Sequence, residues 1–254
     1  MRRSAIVPQL PDKHRLILAA VIRYSFRDQK LVLEQNRSIQ IDGRIVVDLY
    51  QAIYNRRTVR DFQNRQISKA IIKRIVGAGL KAPSNNHLRE WEFIVITDEE
   101  IRSRTIAGVK PNVTVKAAER IINKWGLRNK TQREMYLDGI PKQYKMLLTA
   151  GCLIIPCFLQ ETPLLKPKSL SWLNGFASIW CCIENMLLAA SAEGIYGVTR
   201  IPFDKEFKYL RDVLHIPPKY SIPCYLALGY PEKANGKIKQ LKIKVTDRIH
   251  YNKW

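Results

Sequence analysis

Arg56-Arg57-Thr58-Val59-Arg60-Asp61-Phe62 and, one helix later, Ala82-Pro83-Ser84-Asn85-Asn86-His87-Leu88-Arg89-Glu90-Trp91-Glu92-Phe93 are the two segments on which the reading of this chain turns. In an extended backbone, alternation puts Arg56, Thr58 and Arg60 on one side. Two guanidinium forks and a hydroxyl facing one way suit a phosphate dianion, because the forks bind its oxygens bidentately and stay charged at any relevant pH. The same run also reads as a solvated basic helix end that complements the macrodipole. The second segment is a polar turn leading from a helix into a strand. Turn chemistry explains part of it, but neither the close pairing of His87 with Arg89 nor the bulky Trp91 that follows directly.

Working outward, a helix is expected from about Val46 to Asn55, with Val46, Leu49, Tyr50 and Ile53 on one face. Ser68 is a candidate N-cap for a helix carrying Ile71, Ile72, Ile75, Val76 and Gly79 at helical spacing and ending before Pro83. Trp91 to Thr97 is rich in β-branched and aromatic residues and reads as a strand, after which Asp98 starts another helix. Residues 108–147 are polar, basic and weakly periodic, with helical fragments from Ala117 to Trp125 and before Leu148; such a segment suits a mobile cover. Cys152 to Leu159 is a strand buried on both faces, against which Pro156 counts. Leu173 to Glu193 is a helix apolar almost all round, fit for a core or a subunit interface, and Gly194 ends it. A helix from Asp204 to Leu214 and a strand from Cys224 to Tyr230 precede a lysine-rich tail. Few strands among several helices give an α+β layout.

The 254 residues, 46% hydrophobic and 26% charged, are enough for one packed core. Residues 1–45 read as an extension in which Asp12 caps a helix bearing Leu16, Ile17, Ala20 and Val21. Its apolar run is short and lacks a cleavage site, so it does not read as a signal peptide. No run of roughly 20 apolar residues suggests a membrane span. Five cysteines without CxxC pairing read as reduced, mostly buried thiols of a cytoplasmic protein.

The formal charge of +21 suits a polyanion: nucleic acid, an anionic membrane surface, or a phosphorylated cofactor. It also fits a uniformly basic composition, since the cations are spread along the chain. Neither GxGxxG nor GxxxxGK[ST] occurs, so dinucleotide-fingerprint and phosphate-loop sites are disfavoured. No HExxH or GxSxG is present, and His14, His87, His215 and His250 lie far apart, leaving no local metal or triad pattern. The aromatic residues sit in apolar helices and strands and do not interleave with Lys and Arg, which counts against a nucleic-acid-binding module.

The order of these segments resembles the nitroreductase family. The resemblance rests on Ile53 to Phe62, Ala82-Pro83-Ser84 and Trp91 to Ile96. It continues through Glu184-Asn185-Met186-Leu187-Leu188-Ala189-Ala190 with Gly194 and Gly197, Leu228-Gly229-Tyr230-Pro231, and His250 to Trp254. It implies helices around a central mixed, mainly antiparallel sheet over residues 46–254, and an intertwined homodimer with FMN in clefts between subunits. By position, Arg56, Arg57, Thr58 and Arg60 would hold the phosphate, ribityl chain and pyrimidine edge of FMN. Pro83, Ser84, Asn85 and His87 would line the flavin, and the backbone from Gly197 through Thr199 to Arg200 would approach its ring. Lys239 or Lys242 would complete the phosphate clamp. The implied activity is hydride transfer from NADH or NADPH through FMN to a nitroaromatic, a quinone or a similar acceptor, with Arg60 the cation facing the developing charge. The same fold also supports reductive dehalogenation, flavin breakdown and dehydrogenation. Where the family usually carries Asn, Gln and Pro, this chain has His87, Arg89 and Glu90.

Overall fold

Residues 39–41, 44–160, 164–232 and 241–254 are described by a computed structural model. The expected helix after Asp12 lies outside these residues. An antiparallel hairpin, β1 (Ile39–Ile41) with β2 (Arg44–Val46), replaces the expected helix start. Helix α1 (Leu49–Asn55) begins where Asp48 Oδ1 accepts from the amides of Tyr50 and Gln51. Only Ala52 of α1 is buried. Leu49, Tyr50, Ile53 and Tyr54 are 62%, 65%, 41% and 81% exposed, so the apolar stripe faces away from the chain's own core.

Helix α2 (Lys69–Gly79) starts at the expected cap, Ser68 Oγ accepting from Ile71 N, and buries Ile72, Ile75 and Gly79. Then come β3 (Trp91–Ile96), α3 (Glu99–Thr105) capped by Asp98, α4 (Val115–Lys124), α5 (Lys130–Gly139) and α6 (Gln143–Leu148). The chain continues through β4 (Cys152–Leu159), α7 (Asn174–Ala192), β5 (Tyr196–Arg200), α8 (Asp204–Val213), β6 (Tyr220–Ser221) and β7 (Tyr225–Gly229). Gly194 takes φ +70° after α7, a left-handed turn that glycine makes without Cβ strain.

The main sheet runs β3-β4-β7-β5, with β6 also on β4, and every strand pair in it is antiparallel. Outside β5, Thr58 forms a parallel bridge to Gly197. The α+β arrangement with a mainly antiparallel sheet is therefore the one expected. Strand β4 explains its own apolarity. Cys152, Ile154 and Phe158 join a core made with α2 and α7. Leu153, Ile155 and Cys157 join the opposite core, with Ile106, Met146, Leu147 and Leu210. Burying such a side chain contributes about 1.5–3 kcal/mol, so both faces of this strand are committed.

Pro156 is tolerated in this central strand because of register. Leu159 N donates to Glu90 O on the β3 side and Gln160 N to Lys219 O on the β6 side. By alternation the nitrogen of Pro156 faces the β6–β7 side. Pairing there stops at Ile154 with β7 and resumes at Phe158 with β6, so no ladder bond needs its missing N–H.

Helices α4 and α5 share a small cluster of their own, Ala118, Ile122 and Ile140, separate from the two large cores. The stretch Leu170–Ala192, a 3-10 turn running into α7, is 23 residues long, and its most apolar window has a mean hydropathy of 1.3. That is long and apolar enough to cross a membrane by length and composition, which corrects the expectation that no segment would be. The reason is that the exposed side of α7 is only partly polar, with Glu184 beside Ala177 and Cys181. Ile179, Cys182, Ile183, Met186 and Ala190 are buried in the core, while Ala177 and Cys181 face outward.

Candidate functional site

The segment after α1 pairs in extended form at Thr58 but does not turn Arg56, Thr58 and Arg60 toward one point. Val59 is buried in the core and donates its amide to Gly197 O, whereas Thr58 is exposed. The guanidiniums of this segment fan out. Arg56 Nε lies 3.5 Å from Glu184 Oε1 on α7. The Arg57 guanidinium stacks 4.5 Å above the Tyr196 ring of β5, a cation–π contact. Arg60, its side chain only 20% exposed, turns toward the α5–α6 junction, 4.0 Å from Asp138. Burial lowers its pKa, opposed by the negative charges of Asp138 and Asp61; an arginine stays protonated under such a shift.

The turn before β3 is strained and tied down. His87 and Arg89 adopt φ of 60° and 50°, a region that side chains other than glycine rarely occupy. Leu88 N donates to Asn86 Oδ1, and Arg89 Nη1 donates to His87 O. Glu90 closes the loop by accepting from Asn86 Nδ2 at 2.9 Å. Asn85 is fastened to α7: its amide donates to Ser178 Oγ and its Oδ1 accepts from Asn174 Nδ2. Ser84 Oγ is shielded from solvent without a hydrogen-bond partner among the described residues, a costly state for a hydroxyl. Ser84, Asn85, Glu90, Trp91, Phe158 and Ser178 line a cleft of about 70 Å³. Ligand pockets typically hold roughly 300–1,000 Å³, so this cleft is part of a site at most.

Gly197 is buried where the two layers meet. A Cβ there would sit 2.6 Å from Leu228 Cδ2 and 3.0 Å from Ala227 O, so only glycine fits without displacement. Thr199 is half-buried. Arg200 is not a free cation: its guanidinium makes two hydrogen bonds to Glu206, and its Nε donates to Gln143 Oε1 at 3.0 Å. Lys239 lies outside the described residues, and Lys242 is exposed in the closing segment. Pro83 and His87 are exposed. Among the described residues, no group of three or more His, Cys, Asp and Glu side chains could hold a metal ion.

The arginine segment and the turn do not meet within one chain. Thr58 lies beyond β5 and Trp91 begins β3, on the opposite edge. Four inter-strand steps of about 4.8 Å separate them laterally. Along the strands, Gly197 is level with Leu228 and Cys152, while Trp91 pairs with Phe158 at the far end of β4. That adds roughly 20 Å. The two polar sets occupy diagonal corners of the sheet. Sequence reasoning also missed Asp138, Lys142, Gln143 and Glu184, which engage the candidate residues. The Asp138–Lys142 spacing, i to i+4, was the available signal.

Comparison with known proteins gives this architecture its relatives. The model of the Nitroreductase family matches residues 53–230. An Archaeoglobus fulgidus protein named "Putative NADH dehydrogenase/NAD(P)H nitroreductase" is 28% identical over 204 residues, covering 80% of this chain and 96% of its own. Human iodotyrosine deiodinase 1 is 27% identical over 205 residues, which is 80% of this chain and 67% of that protein. A crystal structure of oxidised iodotyrosine deiodinase bound to FMN and 3-iodo-L-tyrosine shares the fold with a TM-score of 0.60 at 20% identity, over 82% of this chain and 100% of that one. With its family match running from α1 through β7, the chain belongs to the nitroreductase family of oxidoreductases.

Proposed function

We propose that the chain is an FMN-dependent oxidoreductase acting as a homodimer, with FMN between subunits and hydride passed from NADH or NADPH to a small electrophilic acceptor such as a nitroaromatic or quinone. The observation that carries this reading is the diagonal separation of the two polar sets. A two-fold dimer sets the same surface patch of both copies together, so the arginines of one copy can meet the turn of the other. The outward apolar stripe of α1 and the outward side of α7 supply surface for such an interface.

The residues fit a phosphorylated flavin. Arg56, Arg57 and Thr58, with Lys239 or Lys242, are the phosphate set. Ser84 offers a hydroxyl that has no partner among the described residues, beside Pro83, Asn85 and His87. The backbone from Gly197 through Thr199 to Arg200 is the segment of β5 that approaches the flavin ring in this reading. FMN, when bound, supplies hydride acceptance and return. The chain binds and orients it, and Arg60 is the catalytic residue, a fixed cation toward the edge where negative charge develops. Residues 108–147 act as a mobile cover that excludes water. The buried thiols suit a reducing, cytoplasmic setting.

A second reading keeps FMN and changes the acceptor to a halogenated aromatic. It is favoured by the similarity to iodotyrosine deiodinases, at an identity one percentage point below that of the nitroreductase relative. The test is stopped-flow reduction of the purified protein with NADH and NADPH, followed by reoxidation with a nitroaromatic, a quinone and an iodotyrosine. A yellow protein reduced by a nicotinamide is expected, with Arg60→Ala retaining less FMN and reducing it more slowly. A colourless protein that takes up no added FMN overturns the reading, and an Arg60→Ala variant with full flavin and turnover removes Arg60 from it.

A further inference from the structure

Four charged side chains join the arginine segment to the cover. Lys142 Nζ lies 2.7 Å from Asp61 Oδ2 and 2.6 Å from Asp138 Oδ1, and Asp138 Oδ2 lies 4.0 Å from Arg60 Nη1. Asp61 and Asp138 thus share one ammonium, and Asp138 keeps its second oxygen toward the guanidinium. Beneath that guanidinium is Gly139, buried, where a Cβ would stand 3.1 Å from Arg60 Cζ and Nε. The guanidinium therefore lies against bare backbone at the end of α5. The opposite side of the same junction holds Gln143, which accepts from Arg200 on β5. The α4–α5 pair has only a small core of its own, so these polar contacts fix where its α5 end sits.

We propose that Asp138 and Lys142 are positioning residues for Arg60, whose guanidinium is seated on Gly139: they aim that guanidinium, so that this cation is held in place only when the α5–α6 junction is docked. The inference rests on the flavin reading above. Without Lys142 the carboxylates of Asp61 and Asp138 would repel each other and Asp138 would swing out of line, and Arg60 without Asp138 would lose the anion its guanidinium faces and regain rotamer freedom. The arrangement also gives the cover a means of acting on the flavin without touching it.

A double-mutant cycle between Asp138→Asn and Arg60→Ala tests this, read by the FMN dissociation constant, the rate of flavin reduction by the nicotinamide, and the midpoint potential. Positioning predicts that Asp138→Asn slows reduction at least about fivefold and makes the potential more negative, and that both effects collapse in the Arg60→Ala background. Removing an anion that acts on the flavin directly would shift the potential the other way and would persist without Arg60. Either a positive shift or an additive cycle overturns the proposal. Lys142→Met and Gly139→Ala provide independent variants should Asp138→Asn misfold: each should reproduce the slowing with Arg60 present and not without it, while Lys142→Arg should keep the wild-type rate. A wild-type protein that takes up no FMN overturns the flavin reading together with this one; a yellow wild type with an additive cycle overturns the positioning alone.

Discussion

Arg200 and Glu206 form a two-pronged ion pair, Nη1 to Oε2 at 2.5 Å and Nη2 to Oε1 at 2.7 Å, with side chains only 7% and 8% exposed. Glu206 also accepts from Phe203 N at the start of α8. The pair joins β5, which carries Gly197, to α8, and through Gln143 to α6. Removing one partner from such a pair leaves an uncompensated buried charge and costs about 3–5 kcal/mol, whereas replacing both with apolar groups recovers much of that. Glu206→Ala should therefore lower the denaturant midpoint sharply, and Arg200→Met with Glu206→Leu should lie closer to wild type. Equal midpoints for Glu206→Ala and wild type would show that solvent reaches the pair.

How much of this was legible in the sequence follows from which contacts are local. Ser68 and Asp98 were readable as caps because a capping side chain acts within its own turn. The run from Cys152 to Leu159 was readable because burial on both faces leaves no polar alternation. Strand β5 was not, because Tyr196-Gly197-Val198-Thr199-Arg200 has a glycine demanded by Leu228 and an arginine satisfied by Glu206, both facts of packing. The candidate site followed the same division. The residue types of the arginine segment and the turn could be named from the sequence. Their placement at opposite corners depends on strand order, which puts β4 and β7 between β3 and β5 although β5 precedes β7 in the chain.

Exposed apolar side chains on α1 make the assembly testable. Ile53 is 41% exposed beside Tyr50 and Tyr54, whose rings stack at 6.4 Å. A charge at this position costs little in an isolated chain and much in a desolvated interface. Ile53→Glu should shift the protein from dimer to monomer in sedimentation velocity while leaving its far-UV circular dichroism unchanged, and FMN should be lost with the dimer. A variant that stays dimeric moves the interface elsewhere.

Subunit complementation reads the origin of each half-site. One variant carries Arg56→Ala with Arg57→Ala, and the other carries Ser84→Trp, which fills the cleft. Each alone should hold little FMN. After joint unfolding and refolding, random pairing makes half of the dimers mixed, and each mixed dimer has one site built from two intact halves. About a quarter of wild-type FMN should then return. If the arginines and the turn served the same site from one chain, mixing would restore nothing.

Alkaline pH should weaken the fold before it affects the Asp61–Lys142–Asp138 cluster. Burial pushes the thiols of Cys152, Cys157 and Cys182 from 9.0 up to about 12, and Cys224 is raised as well. A raised thiol favours the folded state at and below its unfolded pKa. As pH climbs toward the folded value the unfolded chain ionises first, and that advantage is lost. The loss should therefore begin near pH 9 and continue to about pH 12. For Lys142, burial favours deprotonation, but its hydrogen bonds to Asp138 and Asp61 outweigh this and raise its pKa. The sign is the same, and the onset comes later, above the ordinary lysine value of about 10.4. Urea midpoints should be flat below about pH 8 and fall from about pH 9. Cys182→Ala should begin lower, because of the cavity it leaves, and descend less steeply over that window. A wild-type midpoint unchanged through about pH 11 would mean that these thiols ionise in the folded chain as readily as in the unfolded one.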